Sequence, residues 1–383
     1  MSNPFAPLQA ALEVITREGK VLPATGQAME DLMRPDHEEV IDRLRTHPDD
    51  KVMDVIFESP NRQPYVPLRQ IHRTEKHLLR FFLDGSARTF FLGDVVEGQR
   101  RSAIHVSQIG AAAIFRHDNG NVRVAKTEHR IVLMMDAKSV SFSEEVKRKV
   151  EAAGPRFQFL DTMEEDGESE KSAPGKEPRS RAAHKAHHAM AELEELLGRN
   201  LDRELDHWLV LDGSLGKDLY RWKHVENYFG VTKSFSREPQ FSLPGKRGVT
   251  HANLYELLSE LPFSSRTCAF SIRAGKAVQW YVRLREQKAM DYPLMGVVKI
   301  EFPNLSEEPV PSKLIDELSG AIIAERQATP HGKDIRWHAH LYAVFLAEQA
   351  IKNSFISTEA LKAGLRWPFF PKREHEGATI LRS

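Results

Sequence analysis

The stretch that decides the fold is Leu-Leu-Arg-Phe-Phe-Leu-Asp-Gly-Ser at residues 78–86. Its apolar run stops abruptly at Asp-Gly-Ser, and a second apolar run, residues 208–211, stops at another Asp-Gly-Ser. Continuous apolar runs of this kind are typical of strands that are buried on both faces of a sheet. We therefore expect Asp84 and Asp212 to lie at strand ends where the sheet emerges from the core, which is where open α/β sheets place ligands.

A single Asp-Gly pair is more often a turn than a ligand site. Here the tripeptide occurs twice, and the two aspartates are 212 − 84 = 128 residues apart, which is too far for one hairpin. Two aspartates on neighbouring strands, joined by a glutamate from a helix, offer the hard oxygen ligands that Mg²⁺ or Mn²⁺ takes in phosphodiester hydrolysis. The pattern predicts a divalent metal site built from carboxylates.

Strands and helices alternate along the rest of the chain. Strand-like runs lie at residues 102–115, 122–135, 267–272, 278–284 and 295–300, and helical patterns lie at 182–197 and 338–352. The sequence Asn-Gly-Asn at residues 119–121 is a hairpin turn signal between the first two of these strands. No Gly-x-Gly-x-x-Gly motif is present, so we predict an α/β fold that is not a dinucleotide-binding domain.

Composition marks three segments that differ from this core. Residues 1–75 carry many prolines and are predicted to form an N-terminal extension. Residues 163–181 are acidic, then rich in Ser, Pro, Lys and Arg, and are predicted to be a flexible insertion because they have too few apolar side chains to offset their ordering entropy. Residues 356–383 are predicted to be a C-terminal tail.

The overall composition limits the function classes. Apolar residues make up 41% and charged residues 28%, which is ordinary for a folded protein. Lys plus Arg equals Asp plus Glu at 54 each, so any nucleic-acid contact must use a local basic patch. The single cysteine, Cys268, excludes an intramolecular disulfide and is expected to be an inert core residue. With neither a signal peptide nor a membrane-spanning segment in the sequence, we expect a cytoplasmic protein.

The order of these motifs resembles the NurA family of nucleases over roughly residues 75–355. The resemblance rests on the two Asp-Gly-Ser strands, on a helix that carries glutamates between them, and on three later segments. These segments are Phe-Gly-Val-Thr-Lys-Ser at 229–234, Trp-Tyr-Val-Arg-Leu at 280–284 and Ala-His at 339–340. No one motif is specific, but the ordered set is.

The resemblance implies an RNase H-like mixed sheet flanked by helices. It also implies a homodimer with Mn²⁺- or Mg²⁺-dependent exonuclease and endonuclease activity on DNA, and a hexameric HerA-type ATPase as the translocating partner. Such a system would act in DNA repair or in defence against phage. By the same resemblance Asp84 and Asp212 are metal ligands, and the helical glutamate is Glu194, which lies 212 − 194 = 18 residues before Asp212. Glu192 is the alternative.

The remaining site residues also follow from the resemblance. His340 matches the histidine at the start of the family's last helix and is expected to contact the scissile phosphate or assist proton transfer. Its alternative is a core histidine packed beneath Trp337 and Tyr342. The family's Tyr-Pro pair is replaced here by Pro-His, which makes His331 the candidate substitute.

Three cationic side chains, Arg88, Lys233 and Arg283, are candidate contacts to the DNA backbone, because such groups bind phosphates without reading sequence. Two other functions remain open from the sequence. One is an inactive NurA-like adaptor that docks on a translocase ring and binds DNA, and the other is a single-strand binding module whose Asp-Gly-Ser sites are only turns.

Overall fold

The computed structural model describes residues 3–24, 52–53, 56–60, 63–69, 71, 75, 78–163, 177–215, 222, 224–235, 240–245, 248–272, 275–288, 291–326 and 335–368. The strands are β1 (Lys20–Pro23), β2 (Val52–Met53), β3 (Glu58–Ser59), β4 (Tyr65–Pro67), β5 (Leu79–Glu97), β6 (Arg100–Arg116), β7 (Val122–Met135), β8 (Phe157–Asp161), β9 (Trp208–Asp212), β10 (Tyr228–Thr232), β11 (Gln240–Gly245), β12 (Gly248–Asn253), β13 (Ser265–Thr267), β14 (Phe270–Ile272), β15 (Ala277–Arg283), β16 (Val297–Pro303) and β17 (Val310–Pro311). The helices are α1 (Gln9–Glu18), α2 (Ser143–Ala152), α3 (Pro178–Arg199), α4 (Leu254–Ser259), α5 (Ser312–Ala324), α6 (Tyr342–Ser354) and α7 (Thr358–Gly364), with 3₁₀ turns at Ala6–Leu8, Ala137–Ser139 and Ile335–Ala339.

One large mixed sheet organises the fold. Its strands follow the order β4-β13-β15-β16-β10-β9-β5-β6-β7-β8, with β1 also paired to β5 and β14 to β15. At its centre β5, β6 and β7 form an antiparallel meander, and β9 and β10 continue the sheet parallel to β5. The prediction of an α/β fold is confirmed.

The meander is longer than the sequence predicts, because β5 does not end at Asp84. Asp84 pairs with Ala112, and the ladder continues to Glu97 opposite Arg100. The expectation that Asp84 marks a strand end is therefore wrong. Gly85 and Ser86 stay in the strand because the facing strand β6 supplies an uninterrupted row of hydrogen-bond partners, which outweighs the turn preference of the dipeptide.

Most of the other predicted elements agree with the structure. Strand β7 has the predicted bounds, and the turn before it places Gly120 at φ +80°. The predicted strand at 267–272 is divided into β13 and β14, and Cys268 between them is buried as expected. Helix α3 begins at Pro178, so residues 178–181 belong to this helix and not to the flexible insertion; proline is favoured in the first turn of a helix. Residues 164–176 of the insertion lie outside the described residues.

Helices cover both faces of the central strands. Phe81 and Leu83 of β5 belong to the same buried cluster as Leu193 and Leu197 of α3. Phe82 belongs to a second cluster, which contains the apolar side chains of α5 and α6. Because successive residues of a strand point to opposite faces, α3 lies on one face of β5 and α6 on the other.

The first and the last segments that the structure describes pack against the far half of the meander. Phe5 and Ile15 at the N-terminus share a third cluster with Leu361 of α7 and with Phe90 of β5. The indole Nε1 of Trp367 donates to the carbonyl oxygen of Leu92 at 3.0 Å. The described parts of the N-terminal extension and of the C-terminal tail thus contribute to the core of the main sheet.

No helix in the part of the chain that the structure describes combines the length and apolar character needed to cross a membrane.

Leu361→Ala tests this role of the tail, since Leu361 is fully buried between α1 and the meander. We expect a loss of about 2–5 kcal/mol in the free energy of unfolding, measured by urea denaturation. Glu359→Ala, on the exposed face of the same helix, is the control and should cost under about 1 kcal/mol. Equal effects of the two changes would contradict the packing.

Candidate functional site

The two Asp-Gly-Ser sequences lie side by side on neighbouring parallel strands. Leu83 of β5 is paired with Leu211 of β9, so Asp84 and Asp212 follow at the same level of the sheet. Phe82 and Val210 both belong to the cluster beneath α6, and the two aspartates, two residues further along, face the same way. The prediction that these aspartates sit on adjacent strands is confirmed.

The second aspartate does lie at a strand end. Gly213 adopts φ +113°, which side chains other than glycine rarely do, and its N–H donates to the carbonyl oxygen of Val231. A Cβ at position 230 would lie 2.5 Å from the carbonyl oxygen of Gly213. Glycine at both positions lets the chain leave β9 sharply while the Asp212 carboxylate stays at the end of the strand.

A buried carboxylate fixes the turn after Asp212. Oε2 of Glu301 accepts hydrogen bonds from Oγ of Ser214 at 2.7 Å and from the backbone N–H of Leu215 at 2.9 Å. Lys299 neutralises this glutamate at 2.7 Å. Ser214 therefore has a positioning role, which agrees with the absence of a serine-hydrolase motif.

Lys233, the residue after β10, points into the site. Its Nζ donates to Oδ2 of Asp212 at 2.6 Å, and the two side chains are 15% and 17% exposed. Burial lowers the pKa of the Lys233 ammonium, but Asp212, Asp84 and Glu348 together raise that pKa above its ordinary value. The lysine predicted to contact DNA is thus paired with a candidate metal ligand.

Asp84 carries the most perturbed charge of the site. Its residue surface is only 8% exposed, and burial is the largest cause that raises the pKa of its carboxyl well above the ordinary value. Asp212 raises that pKa further, as do Glu348 and Glu194, while Lys233 opposes them. The negative charge around Asp84 is therefore greater than Lys233 can compensate.

Glu194 reaches β5 from the opposite face, over Gly85. A Cβ at position 85 would overlap Oε1 of Glu194 and would lie 2.9 Å from Cγ of Met190. Only a glycine in the strand leaves room for this carboxyl so close to the backbone. Glu192 is 55% exposed and lies 3.6 Å from Nδ1 of His188, so of the two candidates Glu194 is the one beside the aspartates.

Glu348 is an acidic neighbour of Asp84 that the sequence analysis missed. It lies on α6, four residues after Val344 and three before Ile351, both of which are buried against the sheet. Its carboxylate pairs with Lys352 one turn further along the helix. The signal was present in the sequence, since Glu348 is the acidic residue of a predicted helix and shares its apolar stripe.

The carboxylates surround Asp84 without forming a closed cage. Within the described ranges, the group that brings three possible ligand atoms to within 4.8 Å of one another is Glu204, Asp206 and His207. Glu204 and Asp206 are 80% and 59% exposed, and the backbone N–H of Glu204 donates to Nδ1 of His207. These residues form a solvated loop cluster. Carboxylates that repel one another and face a lysine are expected to stand apart in this way.

The donor set around Asp84 nevertheless fits a hard divalent cation. Asp84 and Asp212, with Glu348 from the helix on the same face of the sheet, offer carboxylate oxygens, which Mg²⁺ and Mn²⁺ prefer over softer ligands. Glu194 approaches from the other face of β5. The raised pKa of Asp84 shows that its ionised form lacks compensation there. A cation bound among these groups would supply the missing positive charge.

His340 packs against the side chain of Trp337. Its imidazole stacks on the Trp337 ring with the centroids 4.8 Å apart, and the residue is 9% exposed. His340 precedes α6 and does not open it, because the helix begins at Tyr342. The arrangement is that of the alternative, a core histidine packed against Trp337. His331 lies outside the described residues.

The start of α6 lies near the start of β5. Tyr342 donates its backbone N–H to the carbonyl oxygen of Glu325, which forms a buried ion pair with Arg116. Arg80 in turn donates to the carbonyl oxygen of Arg116. Arg80 precedes Asp84 by four residues, or about 13 Å along a strand. A role of His340 in the chemistry stays a prediction.

Arg283 is a structural residue, and its predicted contact to DNA is wrong. It is 1% exposed, and its guanidinium donates to four backbone carbonyl oxygens. These belong to Leu258, Leu261, Pro293 and Met295. The strand pattern that made it a candidate could not show that loops converge on its side chain.

Arg88, on the same strand as Asp84, is half-buried and donates to Oγ1 of Thr358 at 3.3 Å. Its contact to a phosphate stays a prediction.

Comparison with known proteins adds no family. The chain matches no protein-family model and no curated protein sequence.

Arg283→Ala should destabilise the protein by about 3 kcal/mol or more, because it leaves several buried carbonyl groups without donors. Arg88→Ala is the matched control and should change the free energy of unfolding by less than about 1 kcal/mol. Urea denaturation of both variants measures the difference. A mild effect at Arg283 with a large one at Arg88 would contradict the placement of these side chains.

Asp84→Asn should make stability in EDTA depend less on pH. A carboxyl whose folded pKa is raised contributes stability below its unfolded pKa, near 3.8, and this stability is lost as pH rises through the folded pKa. The variant does not lose this stability, so the difference in melting temperature in its favour should grow as pH rises across this window. Thermal melts at several pH values measure it, and a pH-independent difference would contradict the burial of an ionisable Asp84.

Proposed function

We propose that the chain is a divalent-metal-dependent deoxyribonuclease of the NurA type. The observation that carries the proposal is the placement of Asp84 and Asp212 at one level of two adjacent parallel strands. Their carboxyls are close enough for Asp212 to raise the pKa of Asp84. Two carboxylates this close repel each other and destabilise the fold. Such pairs are common where a protein binds a cation that assists the hydrolysis of phosphate esters.

The strand order supports an RNase H-like core. The central strands lie in the order β7-β6-β5-β9-β10, so an antiparallel meander is extended by two parallel strands on the side of its first strand. An RNase H-like sheet has this arrangement. The helical glutamate between β7 and β9, Glu194, lies beside the first strand, as the resemblance to NurA nucleases implies.

The metal-binding residues in this proposal are Asp84 and Asp212, with Glu348 on the same face of the sheet. Glu194, the ligand that the resemblance implies, lies over Gly85 on the other face of β5 and is included as the helical glutamate of the family. A bound Mn²⁺ or Mg²⁺ would supply an activated water and neutralise the charge that develops on the leaving oxygen. Asp84 and Asp212 hold their positions through the β5–β9 pairing and through the turn that Glu301 fixes. Such fixed ligands need little reorganisation during the reaction.

The cationic residues orient the substrate in this proposal. Lys233 contacts the Asp212 carboxylate. Arg88 lies four residues beyond Asp84 on the same strand, which places the two residues about 13 Å apart. A basic group at that spacing contacts the DNA backbone beside the phosphate that is cut, without selecting a base sequence. His340 has no part in this scheme.

The family-level partners belong to the same proposal. A NurA-type nuclease would act as a homodimer on DNA ends with a HerA-type hexameric ATPase, in repair or in phage defence. The second candidate is the inactive adaptor, which docks on the same ring and binds DNA. It is favoured by the absence of the Tyr-Pro pair, which removes one of the groups that the resemblance expects near the scissile phosphate.

Asp84→Asn and Asp212→Asn should each lower cleavage of linear DNA in Mn²⁺ by roughly 100-fold or more, since even residues that only orient metal ligands cost 10–100-fold. Glu194→Gln should also reduce cleavage strongly. The measurement is the rate of DNA hydrolysis by purified protein, with circular dichroism to show that the fold is retained.

Glu192→Gln is the matched control, two residues away on the same helix but facing solvent, and it should cleave at the natural rate. Full activity in either aspartate variant would refute the proposal. No cleavage by the natural protein at any Mn²⁺ concentration, with DNA binding retained, would favour the adaptor.

A further inference from the structure

Lys233 has a position that its expected role as a phosphate contact does not explain. The residue follows β10, and Val231, two residues before it, is paired with Asp212 across the parallel β9–β10 ladder. This register directs the lysine along the end of the sheet toward the aspartates. The ammonium reaches Oδ2 of Asp212 at 2.6 Å, with 15% of the side chain exposed.

The ammonium also lies among the other carboxylates. Asp212, Asp84 and Glu348 are the acidic groups that act most strongly on Lys233. Of the strongest electrostatic influences on Asp84, only Lys233 carries positive charge. The lysine thus supplies to these carboxylates part of the compensation that a bound divalent cation would supply.

A divalent cation and this ammonium cannot both use Asp212 in the same way. A hard cation needs direct contact with carboxylate oxygens at about 2.0–2.6 Å. The lysine already holds one of the two oxygens of Asp212 and repels a second positive charge at this distance. The four-carbon stem of lysine, however, lets the ammonium move without any change in the backbone.

We propose that Lys233 occupies the cation position of the carboxylate site and competes with the divalent metal for Asp212. When the metal binds, the ammonium leaves Asp212 and becomes available to a phosphate of the substrate. This inference rests on the metal site of the proposed function. It adds that an internal cation offsets part of the negative charge of the carboxylates in the metal-free enzyme, and that phosphate binding by Lys233 follows metal binding.

The test is the affinity of the full chain for Mn²⁺, measured by titration calorimetry and by the loss of the free Mn²⁺ electron paramagnetic resonance signal. Lys233→Met removes the competing charge and should bind Mn²⁺ at least tenfold more tightly than the natural protein. Lys233→Arg keeps the charge and should bind with nearly natural affinity. Lys233→Gln is measured alongside, so that a neutral variant is available if the methionine variant does not fold.

Lys313→Met is the control. Lys313 lies on α5, pairs with Glu317 at 3.8 Å and is 88% exposed, and it has no part in the carboxylate site. Its loss removes one positive charge, as the loss of Lys233 does, and should leave the Mn²⁺ affinity unchanged.

Equal or weaker Mn²⁺ binding by both neutral Lys233 variants would overturn the competition. If those variants bind Mn²⁺ more tightly but the natural protein cuts no DNA, the competition stands and the nuclease proposal fails. If neither the natural protein nor the variants bind Mn²⁺ at millimolar concentration, both proposals fail.

Discussion

The structure around the site depends on one difference in strand length: β9 ends at Asp212, while its neighbour β5 continues. Because β9 stops at Asp212 while β5 runs on to Glu97, the edge of β5 beyond Asp84 loses its neighbour at the level of the two aspartates. Two like charges are thereby held together at the rim of a buried sheet. Their repulsion and desolvation are unfavourable, as the raised pKa of Asp84 shows.

Several local features follow from this placement. Gly213 turns the chain out of β9, and Gly230 leaves space for that turn. Gly85 leaves space for Glu194 on the other face of β5. Lys233 offsets part of the negative charge. The adjacent aspartates give each of these residues a physical reason for its position. Unusual backbone angles and buried like charges are unfavourable, and they are expected at a binding site and not in a structural core.

The sequence predicts the parts of this arrangement that depend on local pattern. The apolar runs give β9 and the start of β5, and the spacing of Leu193 and Leu197 gives α3. The neighbouring positions of Asp84 and Asp212 could be proposed because both runs end in the same tripeptide. Each of these signals is contained in a short stretch of the chain, and hydrophobic periodicity is sufficient to find the elements.

Features that depend on distant partners could not be predicted. The continuation of β5 depends on β6, and the burial of Arg283 depends on loops that converge from two other segments. Glu348 differs from these cases, because its place on an apolar helical stripe could have been read from the sequence.

The most direct test of the central claim is a crystal structure of the full chain soaked with Mn²⁺, with the ion located by its anomalous scattering. The account predicts an anomalous peak coordinated by Asp84 and Asp212, with Glu194 or Glu348 near it and Lys233 withdrawn from Asp212. A peak at Glu204, Asp206 and His207 alone, or no peak at the end of β9, would contradict it.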